Sequence, residues 1–268
     1  MPATMNPLAL PESLLSRIED AGINASAPPQ QRWVDGWLLR FSPGKAKRAR
    51  CVQAVADGRL PLDERLALCA QVFQQAGLPM VIRLTPFSRP DGLDAALAAR
   101  GYGGLDDTRV MVAPSLPTVA DLQADTLPSG LQLERLAAAD FADTVGTLRA
   151  SPAGQRTAQA QRLALSPVPY QGWVLRRQDD GAVLACGQTA CEADLVGLYD
   201  VFTHPGARGQ GLARKLCVAL LVQAQAAGAR VGYLQVEADN TAARAIYHRL
   251  GFADGYSYHY RTPDPGVA

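Results

Sequence analysis

The run VFTHPGARGQGLARKL, Val201 to Leu216, sets three glycines and a proline between an apolar, strand-like stretch and a helical pattern. Leu212, Leu216, Leu220 and Ala224 recur at helical spacing, so a helix starts near Gly211. The loop therefore brings its backbone N–H groups and the positive end of a helix dipole to one place. Glycine at 206, 209 and 211 keeps Cβ atoms away and permits left-handed dihedrals, while Arg208 and Arg214 add positive charge. Such a junction is an anion site, suited to a pyrophosphate. An ordinary glycine-rich turn remains the alternative for the loop taken alone. Two other phosphate loops are excluded. Gly-Leu-Ala stands where a Walker A loop needs Gly-Lys-Ser/Thr. The glycines also run in the reverse order of a dinucleotide fingerprint, and GARVGY occupies the place of its acidic residue.

The spacing that fits is Arg208-x-x-Gly211-x-Ala213. It resembles the Q/R-x-x-G-x-G/A pyrophosphate loop of the GNAT superfamily of N-acetyltransferases, which bind acetyl-coenzyme A. Downstream, YLQVEADNTAARAIYHRLGF (Tyr233 to Phe252) is similar to that family's second signature: a strand, an asparagine, a helix carrying a tyrosine, then Leu-Gly-Phe. The resemblance covers roughly Leu131 to Arg261.

The resemblance implies an acetyl-CoA-dependent N-acetyltransferase in which a primary amine attacks the thioester directly, in a ternary complex. By position, Val201, Phe202 and Thr203 would pair their backbone with the pantetheine, as a neighbouring strand would. A backbone N–H at Val201 or its neighbour could face the thioester oxygen, where such a donor is typically worth about 2.7–4 kcal/mol. Arg208, Gly209, Gln210, Gly211, Leu212, Ala213 and Arg214 would take the pyrophosphate. Asn240 would bond the cofactor, cap the following helix, or do both. Tyr247, two helical turns beyond it, would be the general acid for the departing thiolate. Some relatives place a glutamate five positions before the asparagine as the base. Here that position is Gln235, which takes no proton, so Glu237 on the same strand face and Asp200 on the preceding strand are the candidate carboxylates. A neutral amine needing no enzymic base is the other alternative. An idle CoA-binding sensor or scaffold is the competing class, and another acyl group is a variant within the same one.

Around these residues the chain repeats an order of elements. GWLLRF (Gly36–Phe41) echoes GWVLRR (Gly172–Arg177). Helices ending at Gly77 and Gly228 run into the strands MVIRL and VGYLQV, and helices closed by Gly101 and Gly251 run into TRVMVA and YSYHYR. The first half is shorter by one strand. It has DGRLPLDERL in place of the glycine loop and Leu97 in place of Tyr247, so one competent site is expected, in the second half. The expected fold is α/β: two GNAT-like halves in tandem, each a mixed sheet with helices on its faces. The first half, residues 1–113, would be degenerate and would shape the acceptor cleft or brace the sheet. A proline-bearing linker follows at 114–129, then the catalytic half at 130–268. Ahead of the first repeat, PESLLSRIEDAG reads as a helix ending at Gly22.

Composition narrows the partners. A net charge of +1 argues against nucleic-acid or acidic-membrane binding and disfavours a highly charged acceptor. Small amines, amino-acid-like compounds and peptide or protein amines all stay open. Three scattered histidines and five cysteines give no metal-ligand spacing, and the cysteines read as reduced, buried thiols. His204, before Pro205, reads as a turn residue. The basic run Gly44–Arg50 reads as a solvated loop, or else as a contact for an acidic substrate or a ribose phosphate. No signal-like start or membrane-length run is present, so a soluble cytoplasmic protein is expected.

Overall fold

The computed structural model describes residues 10–41, 46–118, 127–264 and 266. Residues 119–126 of the expected linker and 44–45 of the basic run lie outside these. The first half supplies helix α1 (Glu12–Ala25), strands β1 (Gln31–Val34), β2 (Trp37–Arg40) and β3 (Val52–Gln53), helix α2 (Leu62–Gln75), β4 (Ile82–Leu84), α3 (Leu93–Ala98) and β5 (Gly103–Ala113). The second supplies β6 (Leu131–Leu136), α4 (Ala138–Leu148), α5 (Ala153–Ala164), β7 (Tyr170–Arg177), β8 (Val183–Glu192) and β9 (Leu195–Thr203). It continues with α6 (Leu212–Ala226), β10 (Val231–Glu237), α7 (Thr241–Arg249) and β11 (Ala253–Thr262).

The eleven strands of the described residues form one mixed sheet in the order β1-β2-β3-β4-β11-β5-β10-β9-β8-β7-β6. Each half contributes one parallel pair, β3 with β4 and β9 with β10; such pairs need a crossover, here α2 and α6. The two halves then trade their last strands. β5 of the first half pairs antiparallel with β10, from Gly232↔Ala113 to Glu237↔Thr108, and β11 of the second pairs with β4. β5 and β11 meet at the centre. Val110, Met111, Val112 and Ala113 on β5 are fully buried. Met111 belongs to the core around α6, and Val110 and Val112 to one shared with Ile18, Tyr199 and Tyr233. Burying one such aliphatic side chain typically contributes about 1.5–3 kcal/mol, so each half is stabilised by residues of the other.

Two sequence readings need correction. Counting outward from the parallel pairs, β2 corresponds to β8 and β1 to β7, so the echo of GWLLRF with GWVLRR is displaced by one strand. Among the described residues the first half lacks a counterpart of β6, rather than a strand between GWLLRF and α2. Helix α1, secondly, does not stop at Gly22 but continues to Ala25. Gly22 is there for clearance: a Cβ at this position would lie 2.9 Å from Gln235 Nε2 of β10.

Candidate active site

Strands β9 and β10 run together only as far as Leu198↔Leu234. β9 continues to Thr203 and β10 to Glu237 without further pairing, which leaves the β10-facing edge of Tyr199–Thr203 unoccupied by protein strand. On its other side β9 stays paired with β8, but three steps on β9 (Tyr199 to Phe202) match two on β8 (Gln188 to Cys186). That bulge carries Asp200 at φ +50, a conformation uncommon outside glycine but better tolerated by aspartate. The parting strands open a cleft of about 540 Å³ whose walls include Leu198, Val201, Gln235, Glu237, Asn240 and Tyr247.

At the end of β9 the chain turns through Pro205–Ala207 into α6. His204 accepts from the Gly206 amide at 3.2 Å, so it is a turn residue. Ala207 and Leu212 are buried and pin the loop, while residues 208 to 211 between them are exposed. Gly209 (φ +78) and Gly211 (φ +72) both hold left-handed conformations that bend the backbone into the helix start. Among the described residues, the amides of Gly209, Gln210, Gly211, Leu212 and Ala213 have no backbone or side-chain acceptor. Thr203 Oγ1, at the last residue of β9, is buried and likewise has no partner. A row of unsatisfied donors on a helix N-terminus has the chemistry of an anion cradle. Arg208 sits over the Phe202 ring at 5.7 Å.

The first half treats the equivalent junction differently. There the β1–β2 turn points Asp35 at the loop ahead of α2, where its carboxylate accepts from the amides of Arg59 (3.0 Å) and Leu60 (2.9 Å) and pairs with buried Arg65 (3.0 Å). Those backbone bonds hold Asp35 below the usual carboxylate range against the opposing effect of burial. A Cβ on Gly58 would come within 2.1 Å of the same carboxylate. The cradle of the first half is filled by its own aspartate.

Asn240 caps α7, accepting from the Ala243 amide at 3.1 Å. Tyr247 lies on the same helix, 8% exposed, its ring 6.3 Å from that of Phe252. Burial, and secondarily Cys217, raises its phenol well above the ordinary value, so it stays protonated. No hydrogen bond to its hydroxyl occurs among the described residues. Glu237 is exposed at the outer rim. Asp200 instead accepts from Arg149 Nη1 (2.9 Å), Gln159 Nε2 (3.0 Å) and Gln188 Nε2 (2.6 Å). Gln235 Oε1 accepts from Arg48 Nη1 (2.7 Å) and the Tyr258 hydroxyl (2.9 Å), a structural tie between the halves.

Beyond Asp200 a second cavity of about 200 Å³ opens, sharing the wall residues Ala46, Arg48, Arg149, Tyr199 and Asp200 with the first. Sequence reasoning missed most of its wall. Arg149 and Arg162 come from α4–α5 ends with no motif of their own, and Ser26 from the end of α1. Arg48 did carry a signal, as part of the basic run, and it proves to face this cavity. Lys47 of the run pairs with Asp106 at 2.9 Å. Among the described residues no group of His, Cys, Asp and Glu could hold a metal ion, and no helix is long and apolar enough to cross a membrane.

Comparison with known proteins agrees with this geometry. Residues 135–252 match the Acetyltransferase (GNAT) family. The chain is 26% identical over 235 residues to an uncharacterized N-acetyltransferase, YobR, of Bacillus subtilis, covering 86% of this chain and 91% of that protein. It is 29% identical to a mycothiol acetyltransferase of Gordonia bronchialis over 87% of this chain and 70% of that one. A tandem GNAT protein from the clavulanic acid biosynthesis pathway shares the fold, with a TM-score of 0.62 at 17% identity over 90% of this chain and 86% of that one. Residues 135–252 thus match a GNAT acetyltransferase domain, and the chain as a whole shares the fold of a tandem GNAT protein. Its class is that of an acyltransferase.

Proposed function

We propose that the protein transfers an acetyl group from acetyl-CoA to a primary amine by direct attack in the cleft between β9 and β10. The observation that carries the reading is the row of five acceptor-free amides, Gly209 to Ala213, beside the unpaired edge of β9. These donors, with Arg208 and Arg214, suit the diphosphate, and Asn240 and the edge Val201–Thr203 suit the amides of the pantetheine arm. When bound, acetyl-CoA supplies an activated acyl thioester. Tyr247 keeps a proton within the cleft for the sulfur that leaves. Asp200 stands where the two cavities meet and orients the incoming nitrogen. A carboxylate has about four lone-pair sites, and three are used by Arg149, Gln159 and Gln188, which leaves one for the amine. Glu237, at the exposed rim, is the second candidate for receiving the proton that the nitrogen sheds. Making the amide takes one proton from the amine and gives one to the thiol, so the two sites balance.

A covalent cysteine route is disfavoured. Burial pushes Cys51 up to about 11 and Cys69, Cys186 and Cys217 to about 12, which keeps these thiols un-ionised and poorly nucleophilic. The first half lends the cleft Arg48 and closes its own cradle with Asp35, which supports one site per chain.

Incubation with acetyl-CoA and a panel of amines, reading free thiol, tests the reading. Amine-dependent thiol release is expected; stabilisation by CoA without any release would return the chain to the class of CoA-binding proteins.

A further inference from the structure

We infer that the acceptor is a small amine carrying an oxyanion, held in the inner cavity with its nitrogen at Asp200 and its anion among Arg48, Arg149 and Arg162. The inference rests on the acyl transfer proposed above for the adjoining cleft.

Among the described residues, the charged side chains lining this cavity are those three arginines and one carboxylate, Asp200. Arg149 already spends one donor on Asp200. Arg162 makes a long bond, 3.4 Å, to the Ala25 carbonyl and also acts on the Tyr170 hydroxyl, its guanidinium lying 5.8 Å from the centre of that ring. Arg48 uses Nη1 on Gln235 and Tyr258, and its Nε is buried with no partner. Guanidinium donors therefore outnumber acceptors in a partly enclosed space, an arrangement that is costly unless an anion completes it. Tyr199 and Tyr170 fix Arg48 and Arg162 by their ring faces, so the donors are held in place rather than free to turn to solvent.

The second half of the inference is the position of the nitrogen. Asp200 is the one negative group, it retains a lone pair, and it adjoins Val201 at the mouth of the cleft. A zwitterion with its ammonium at Asp200 and its oxyanion deeper among the arginines matches the charge order of the wall; the ammonium gives up one proton to solvent before its neutral nitrogen attacks, and the second leaves as the amide forms. Size limits the choice further. About 200 Å³ is smaller than the roughly 300–1,000 Å³ of pockets for drug-sized ligands, so the acceptor is of amino-acid size. A polypeptide N-terminus would present a neutral amide where the arginines stand. The whole-chain charge of +1 conceals this local excess.

Two sources share the chemistry, a carboxylate and a phosphate, and matched pairs separate them. Thiol release at saturating acetyl-CoA is measured for L-amino acids against their methyl esters, and for phosphoethanolamine against ethanolamine. The anionic member of one pair should be used with kcat/KM at least about 100-fold higher than its neutral partner, as when a site's buried polar groups are left unpaired; the responding pair identifies the anion. Arg162→Gln should raise KM for that acceptor at least tenfold, with Arg162→Lys recovering part, while the thermal shift given by CoA stays as in the wild type. Neutral partners used as well as anionic ones, or no anionic amine accepted by a protein that CoA still stabilises, would overturn the inference and leave CoA binding standing. A wild-type protein that CoA does not stabilise would overturn the acyl-transfer reading instead, and this inference with it.

Discussion

Arg48 Nη1 donates to Gln235 Oε1 at 2.7 Å, joining residues 187 positions apart. Gln235 stands where some relatives are expected to carry a basic glutamate. Here its carbonyl oxygen is committed to Arg48 and Tyr258, and its amide nitrogen packs against Gly22 of α1. The position has become a fastening between the halves, and it holds Arg48 at the junction of the two cavities.

Gln235→Leu should therefore cost stability as well as disturb the cleft. A buried donor left without its acceptor typically costs about 1–3 kcal/mol, and more when it is charged. Urea unfolding should show a lower midpoint with an unchanged slope, since the surface exposed on unfolding stays the same. An unchanged midpoint would show that the bond does not fasten the halves.

Tyr247→Phe separates chemistry from binding. Loss of a general acid typically lowers turnover by about 10²–10⁴. The hydroxyl makes no hydrogen bond among the described residues, so the unfolding midpoint and the thermal shift with CoA should both hold. Unchanged turnover removes the assigned role.

Gly211→Ala probes the loop itself. With φ at +72 and no atom within 4 Å of an added Cβ, the strain is in the backbone, about 1–2 kcal/mol for an L-residue in that region. Titration calorimetry should show weaker CoA binding than this modest loss of stability explains, because the new methyl would project into the open space beside the amides.

Asp35→Asn tests the plug in the first half. The folded value of Asp35 lies below its unfolded one, so its contribution is present above about pH 4 and disappears as pH falls through the folded value. The variant should be less stable than the wild type at neutral pH, and the two should converge on acidification. A gap that does not narrow as pH falls would contradict the assignment of Asp35 as an ionised plug.

The glycine loop and the Asn240–Tyr247 helix are legible in the sequence because they are local. A left-handed glycine, an N-cap and a residue two turns later are fixed by short-range geometry; Asn240 and Tyr247 line the cleft between β9 and β10, and the glycines lie at the start of α6, just past the end of β9. The inner cavity is not legible, since Arg149, Arg162 and Ser26 meet only after distant helices pack. The exchange of β5 and β11 is equally hidden: both strands are apolar enough to sit beside either parallel pair, and which they choose depends on the whole sheet. Gly22 misled for the opposite reason. It has the type of a helix stop but sits inside the helix, because Gln235 needs the space.

The most direct measurement follows the backbone amide signals of Gly209 to Ala213 by nuclear magnetic resonance while CoA, and separately pantetheine, is titrated. The account predicts large, saturable shifts of these five amides with CoA and little change with pantetheine, which lacks the diphosphate. Amides that stay still with CoA, or shifts that appear instead at Arg59 and Leu60, would contradict it.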